Sequence, residues 1–260
     1  MAKYPFTCAL VTGASSGIGQ EIAVQLGMSG VPLVLVARRA DRLEALAARF
    51  KNAEVIVADL STEVGVALIE ARIADSSKTP IDLVVNNAGF GSSGLMHEID
   101  LERLSREIHV NVLALTRLSH AAINAMLPTG RGFLLNVSSV ASFQPGPGST
   151  VYSATKAYVT SFTEALHEEM RGTGVRVTAL CPGFTRTEFS DVSGTNSISS
   201  QVPNFAWLDA TDVARDGLRA VTRGKALCIP GALYKGVSAF SNSSPRGLVR
   251  RITSLPSRRH

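Results

Sequence analysis

Tyr152 and Lys156 are the first pair in this 260-residue sequence whose types and spacing could do chemistry. On a helix, the spacing i, i+4 sets both side chains on one face, about one turn apart. A free tyrosine has a pKa of about 10 and is a poor base near neutrality, but an adjacent ammonium favours the phenolate and lowers that value. The pair could then pass a proton to or from a nearby oxygen around pH 7. The same spacing occurs on ordinary surface helices, so its meaning depends on what surrounds it.

The segment TGASSGIG, Thr12 to Gly19, supplies such surroundings. It lies where a first apolar run ends and a first helical pattern begins. Gly13 permits a tight turn, Gly17 lets backbone approach a pyrophosphate and Gly19 allows close packing. The helix N-terminus adds free N–H groups and a partial positive charge. The spacing Gly-x-x-x-Gly-x-Gly departs from the commoner Gly-x-Gly-x-x-Gly fingerprint, and a flexible loop between strand and helix is the competing explanation. At the end of LVLVARRADR, an NAD site would place a carboxylate to accept hydrogen bonds from ribose hydroxyls. This sequence has Ala37 there, followed by Arg38 and Arg39. Planar guanidinium groups suit the ribose 2′-phosphate of NADP, which an acid would repel, although two arginines in a surface loop could also simply face solvent. The missing carboxylate makes NADP (NADPH) the expected cofactor, ahead of NAD. Asp59, in VIVADLS, either meets the adenine or caps the next helix.

These groups need a frame that brings distant segments together. Apolar residues make up 45% of the chain and charged residues 18%, enough hydrophobic material for a core and too much for disorder. Short, nearly continuous apolar runs read as strands: Phe6 to Val11, Val31 to Ala37, Glu54 to Ala58, Ile81 to Asn86, Gly132 to Val137, Val175 to Leu180 and Ala226 to Ile229. Helical patterns fall between them at Gly17 to Met28, Asp41 to Phe50, Thr62 to Asp75, Leu101 to Met126, Val151 to Arg171 and Thr211 to Thr222. The alternation predicts an α/β fold: one doubly wound, Rossmann-type parallel sheet of about seven strands with helices on both faces, a single domain over residues 1–260.

Other function classes recede. No run of eighteen apolar residues occurs, and the start MAKYPFTCALVTG lacks the basic region and cleavage site of a signal peptide, so the expected place is the cytoplasm. Cys8, Cys181 and Cys228 each sit inside an apolar run and read as buried reduced thiols. His97, His109, His120 and His167 have no metal-ligand spacing, and no metal is expected. The net charge of +5 is concentrated at one end: nine Lys or Arg and no acid follow Asp216. A nucleic-acid binder would want a basic face across the fold, so no nucleic-acid partner is expected.

With the glycine loop, the arginines and the Tyr/Lys pair in this order, the chain resembles a short-chain dehydrogenase/reductase over about Thr7 to Glu188. TGASSGIG resembles the cofactor loop of that family, and NNAG at Asn86 to Gly89 the turn after the fourth strand. YSATK from Tyr152 to Lys156 and PGFTRT from Pro182 to Thr187 follow in family order. The resemblance implies a catalytic tetrad of Asn111, Ser139, Tyr152 and Lys156. The family's usual interval between serine and tyrosine selects Ser139 in NVSSVAS, with Ser138 as the alternative. It implies that Gly13, Ser15, Ser16, Gly17, Ile18, Gly19, Arg38, Arg39, Asp59 and Leu60 hold the dinucleotide. Asn87, Ala88, Gly89, Tyr152, Lys156, Pro182, Gly183, Thr185 and Thr187 complete that set. In the reductive direction Tyr152 would be the general acid, Lys156 would tune it and hold the nicotinamide ribose, and Ser139 would fix the substrate oxygen. Asn111, by resemblance, would position a water linking Lys156 to solvent.

The stretch from Glu188 to Leu208 is Ser/Asn-rich yet carries Phe189, Val192, Ile198, Val202, Phe205 and Trp207. A loop this long reads as a lid over an apolar carbonyl substrate, with Phe90, Leu95, Met96, Phe143 and Pro145 as further walls; core or subunit contacts are the other explanation. Residues 244–260 form a basic amphipathic segment: Leu248, Val249, Ile252 and Leu255 share a face amid arginines. It could lie on an anionic membrane, dock on a partner subunit or pack on its own domain. The resemblance also implies a homodimer or homotetramer. The expected function is hydride transfer between NADP(H) and an apolar ketone or aldehyde; the alternative is a non-catalytic NADP-sensing protein on the same fold.

Overall fold

Runs such as ALVT and LVLVA have almost no polar residue to turn toward water, so strands made from them need cover on both faces. The computed structural model, which describes residues 4–195, 200, 202–244 and 247, provides that cover. Strands β1 (Ala9–Thr12), β2 (Leu33–Ala37), β3 (Ala53–Val57), β4 (Leu83–Asn86), β5 (Gly132–Val137), β6 (Val175–Leu180) and β7 (Leu227–Cys228) pair in the order β3-β2-β1-β4-β5-β6-β7. Every pair is parallel, giving the expected doubly wound α/β fold with seven strands. The helices are α1 (Gly17–Met28), α2 (Ala40–Ala47), α3 (Glu63–Ala74), α4 (Leu101–Ile108), α5 (Leu115–Met126), α6 (Thr150–Glu169), α7 (Phe189–Ser193), α8 (Ala210–Thr222) and α9 (Ala232–Ser243).

Alternate strand residues feed two cores. Val11, Leu35, Val85 and Leu135 pack with Ile22 and Leu26 of α1, Leu43 of α2, and Val213 and Leu218 of α8. Leu10, Val34, Val84 and Leu134 pack on the opposite face with Val66 and Ile69 of α3 and Leu118 and Met126 of α5. Each such side chain, once fully buried, contributes about 1.5–3 kcal/mol, enough to fix which residue of each strand faces which helix layer. The chain order reverses between β1 and β4. Loops leaving the carboxyl ends of β1, β4, β5 and β6 open on that crevice, where open α/β sheets bind ligands.

Four sequence expectations are corrected. The pattern from Leu101 to Met126 is not one α-helix: a π-helical stretch, His109–Ala114, separates α4 from α5. A wider turn hardly alters the apolar spacing, so periodicity cannot show it, yet such turns collect at functional sites. The first strand starts at Ala9 and not Phe6, because the N–H groups of Thr7 and Cys8 donate to the Asp82 carboxylate at 2.8 and 3.1 Å. β7 is only two residues long. Helix α9 was not foreseen: it buries Tyr234 and Ser238 and turns Leu233, Val237 and Phe240 outward, inverting the usual amphipathic pattern. Apart from Ser244 and Gly247, the expected basic segment 244–260 lies outside the described residues, as do 196–199 and 201 of the expected lid. Among the described residues no helix is long and apolar enough to cross a membrane, and no cluster of His, Cys, Asp or Glu could hold a metal.

Candidate active site

The glycine loop is shaped by what touches it. Gly13 and Gly17 have φ of +67° and +57°, a region that favours glycine. A Cβ on Gly13 would lie 2.7 Å from Asn87 Nδ2, and one on Gly19 would lie 2.3 Å from that atom and 2.5 Å from the Gly13 carbonyl oxygen. The cradle is therefore one that any side chain would fill. Asn87 donates to the carbonyls of Thr12 and Gly13, while the Thr12 hydroxyl accepts from the N–H groups of Asn87 and Ala88, so the loops after β1 and β4 are tied together. Ser16 precedes α1 without making a side-chain cap, and the first-turn N–H groups of that helix face the loop. Loop shape and chemistry both fit a pyrophosphate. Asp59 accepts from Ser61 N and Oγ at 2.9 and 2.8 Å, and α3 is capped by Thr62 instead. Burial pushes the Asp59 carboxyl up, but the Ser61 bonds and the charge of Arg38 outweigh it and hold it below the ordinary range.

Behind the cradle, the four tetrad candidates converge from three elements. Lys156 is buried in α6, and its Nζ donates to the Val137 carbonyl at 2.9 Å and sits 5.7 Å from the Tyr152 ring centre. Asn111, buried in the π-helical stretch, accepts from Phe90 N at 3.2 Å and donates to Phe90 O and Thr155 Oγ1 at 2.8 and 3.1 Å. Its amide thereby clamps the turn after β4. Gly89 permits this: a Cβ there would be 2.9 Å from Asn111 Oδ1 and 3.5 Å from Lys156 Nζ. The two serines separate cleanly. Ser138 Oγ is taken up by the Lys156 carbonyl and Thr160 at 2.8 and 2.7 Å, whereas Ser139 Oγ accepts from Ala141 N and lies against the Tyr152 hydroxyl.

The ionisation of the pair departs from the sequence expectation. Burial pushes the Tyr152 hydroxyl up to about 12, with the Ser139 hydrogen bond pulling weakly the other way. Burial lowers Lys156 to about 8. The ammonium was expected to draw Tyr152 below 10, but it is turned to the Val137 carbonyl and beneath the ring, and desolvation prevails. Tyr152 is accordingly a protonated donor at neutral pH.

A family model described as short chain dehydrogenase matches residues 7–197. The chain belongs to the short-chain dehydrogenase family. This short-chain dehydrogenase is 38% identical over 193 residues to an uncharacterized oxidoreductase of Myxococcus xanthus, covering 73% of this chain and 76% of that one. Its fold is similar to a short-chain dehydrogenase from Sphingobium yanoikuyae in complex with NADPH, at 32% identity and a TM-score of 0.81 over 92% of this chain and 96% of that one. It is also similar to a bulky-bulky ketone specific alcohol dehydrogenase from Comamonas testosteroni, at 30% identity and a TM-score of 0.77 over 92% and 95%. The dehydrogenase is thus an oxidoreductase of a family that works with a nicotinamide cofactor.

On the substrate side, the dehydrogenase gathers some of the expected residues and not others. The Phe189 ring lies 5.4 Å from that of Tyr152, and Ser193 Oγ accepts from Gly91 N, so α7 closes beside the tetrad. Phe90 lies under the Arg103 guanidinium, whose Nη2 also donates to the carbonyls of Gly91 and Val192. Phe143 ends the short turn that starts beside Ser139. Trp207 packs instead on Phe184 and Arg186 and donates to Val202 O, while Leu95, Met96 and Pro145 are exposed. On the cofactor side, Thr187 covers Gly17, the Pro182 carbonyl accepts from Val140 N, and the Gly183 backbone meets the Tyr234 ring. Thr185 donates to Gly183 O.

Some residues at the site escaped the sequence reading, Tyr234 and Glu107 among them. Tyr234 is buried, donating to Ala206 O at 2.7 Å and accepting from Phe184 N at 3.1 Å, and so fastens α9 to the loop after β6. Glu107 is fully buried, and burial pushes its carboxyl up against the pull of Ser92 and Arg103. Its position did carry a signal, since it lies on the buried stripe of Leu104 and Asn111.

Proposed function

We propose that this dehydrogenase reduces an apolar ketone or aldehyde with NADPH, reversibly, using Tyr152 as the proton donor. The observation that carries this reading is a half-buried, protonated Tyr152 with Ser139 at its hydroxyl, Lys156 beneath its ring and the Phe189 ring beside it. Gly13, Ser15, Ser16, Gly17, Ile18 and Gly19 would hold the pyrophosphate side. Arg38 and Arg39 would hold the 2′-phosphate, with Asp59 and Leu60 toward the adenine. Asn87, Ala88, Gly89, Lys156, Pro182, Gly183, Thr185 and Thr187 would hold the nicotinamide end. When bound, the dinucleotide supplies or takes up the hydride.

Tyr152 gives its proton to the substrate oxygen as charge develops there, and the Ser139 hydroxyl donates to the same oxygen. Lys156, close to half protonated near pH 8, sits where it can restore the tyrosine proton. Asn111 keeps the Gly89–Phe90 turn open for it. The walls are Phe90, Phe143 and Phe189; the position of Trp207 against Phe184 favours a role in holding the segment over one in touching substrate. Exposed Ile108, Leu113 and Tyr158 offer the apolar face that a homodimer or homotetramer would use, which light scattering of the purified chain would register.

The test is loss of NADPH absorbance over a panel of apolar and polar carbonyl compounds, for the parent and Tyr152→Phe. Turnover by the parent on apolar ketones that the variant lacks is expected. Cofactor binding with no turnover by the parent on any carbonyl would overturn the reading and leave a sensor.

A further inference from the structure

The loop after β6 carries an acid that faces the arginines after β2 across the cleft. Glu188 Oε2 lies 3.0 Å from Arg39 Nη1, and both its oxygens lie on Arg42 Nη1, at 2.7 and 2.9 Å. Arg39 meanwhile reaches the glycine loop, with Nε and Nη2 at 3.2 and 3.1 Å from Ser15 Oγ. One guanidinium therefore joins the phosphate cradle to a residue 149 positions away. Arg39 stands at the start of α2 and Arg42 within its first turn, so two cations present themselves to one carboxylate.

A carboxylate and a phosphate address a guanidinium with the same geometry, two oxygens on two N–H donors. The same donors cannot serve both at once. Glu188 also sits between two contacts of consequence: Thr187 covers Gly17 and the Phe189 ring packs at a tilt against Tyr152. Whatever draws Arg39 away from Glu188 acts on the segment that closes the tetrad.

We propose that Glu188 is a specificity-determining residue whose carboxylate competes with the ribose 2′-phosphate for Arg39 and Arg42, coupling phosphate recognition to the hold of the Thr187–Phe189 segment. This rests on the reading that Arg39 receives the 2′-phosphate of NADP(H), and it adds Arg42 to the phosphate site. The coupling runs both ways: a closed Glu188 weakens phosphate binding, and bound phosphate loosens the segment. Glu188 and both arginines are partly exposed, with side-chain accessibilities of 39–45%, so the effect is several-fold and not thousands-fold.

Calorimetric titration of the full chain with adenosine 2′-monophosphate and adenosine 5′-monophosphate tests this without turnover. Glu188→Gln is expected to tighten the 2′-phosphate about 3- to 10-fold, the range open to two exposed ion pairs, and to leave the 5′-phosphate within about twofold. Glu188→Asp, which keeps the charge but shortens the reach, is expected to fall between parent and Gln. Unchanged 2′-phosphate affinity in Glu188→Gln overturns the proposal, as does equal tightening of both nucleotides, which would be general repulsion. Arg39→Gln separates the two readings. If it weakens the 2′-phosphate selectively while Glu188→Gln does nothing, the competition fails and the NADP reading stands; if it has no selective effect, both fail.

Discussion

The cofactor side and the substrate side of this dehydrogenase are built by different means. From β1 to β4, the pyrophosphate cradle is made mainly of backbone: glycines at positive φ, loops tied by Thr12 and Asn87, and the free end of α1. After β6, it is made of side chains that reach across long sequence distances: Glu188 to Arg39 and Arg42, Phe189 to Tyr152, Arg103 to Val192, and Tyr234 to Ala206 and Phe184. The first side tolerates no added atom, whereas the second can let go of one contact at a time. That division suits a protein that must hold a large cofactor rigidly and admit a smaller molecule beside it.

The comparison breaks most visibly at the tetrad, where the two sides meet. Tyr152→Phe keeps the ring packing on Phe189 and removes only the hydroxyl, so kcat should fall by about 10²–10⁴ while NADPH binding, followed by fluorescence titration, stays near the parent value. Gly19→Ala attacks the rigid side. The added methyl would meet Asn87 Nδ2 and the Gly13 carbonyl, and should cost about 1–3 kcal/mol of stability, read by urea denaturation, together with most of the cofactor affinity. Gly30→Ala is the control, since nothing lies within 4 Å of its Cβ; only the positive φ of +79° is strained, and cofactor affinity should be unchanged.

On the adaptable side, Phe189→Ala should raise KM for apolar ketones several-fold, because its ring lies 5.4 Å from that of Tyr152. An unchanged KM across the panel would remove Phe189 from the pocket.

The smallest effect concerns charge. Lys156 is lowered to about 8 in the folded chain against an unfolded value near 10.4, so between those values the unfolded state binds the proton and the folded state does not. By linkage, the contribution of Lys156 to stability rises with pH through that window, and its burial is most costly below pH 8. Lys156→Met should therefore stabilise the chain more at pH 7.5 than at pH 9.5, as measured by thermal unfolding at both. A difference independent of pH would mean that the buried amine carries no such shift.

The same division explains what the sequence could reveal. The strand positions, the glycine cradle, Asp59 near its loop and the Tyr152/Lys156 pair follow from local spacing, and local spacing survives into the fold. The interval to Tyr152 favours Ser139 over Ser138, and the fold gives the physical reason: Ser138 is taken up by the Lys156 carbonyl and Thr160, while Ser139 lies against the Tyr152 hydroxyl. The π-helical stretch around Asn111 leaves the apolar period nearly intact. Helix α9 hides because it shows apolar residues to solvent. The raised pKa of Tyr152 is a property of burial, and i, i+4 spacing says nothing of where the ammonium of Lys156 points. Glu188 and Arg42 are ordinary residues in sequence, and their meaning lies in a contact spanning 146 positions.

The most direct measurement of hydride transfer is isotopic. The parent chain would be incubated with NADPH carrying deuterium at the transferring position of the nicotinamide and with an apolar ketone, and the product analysed by mass spectrometry. An alcohol one mass unit heavier, deuterated at the former carbonyl carbon and missing when Tyr152→Phe is used, is the predicted result. Bound NADPH whose deuterium reaches no carbonyl compound on the panel would contradict the account.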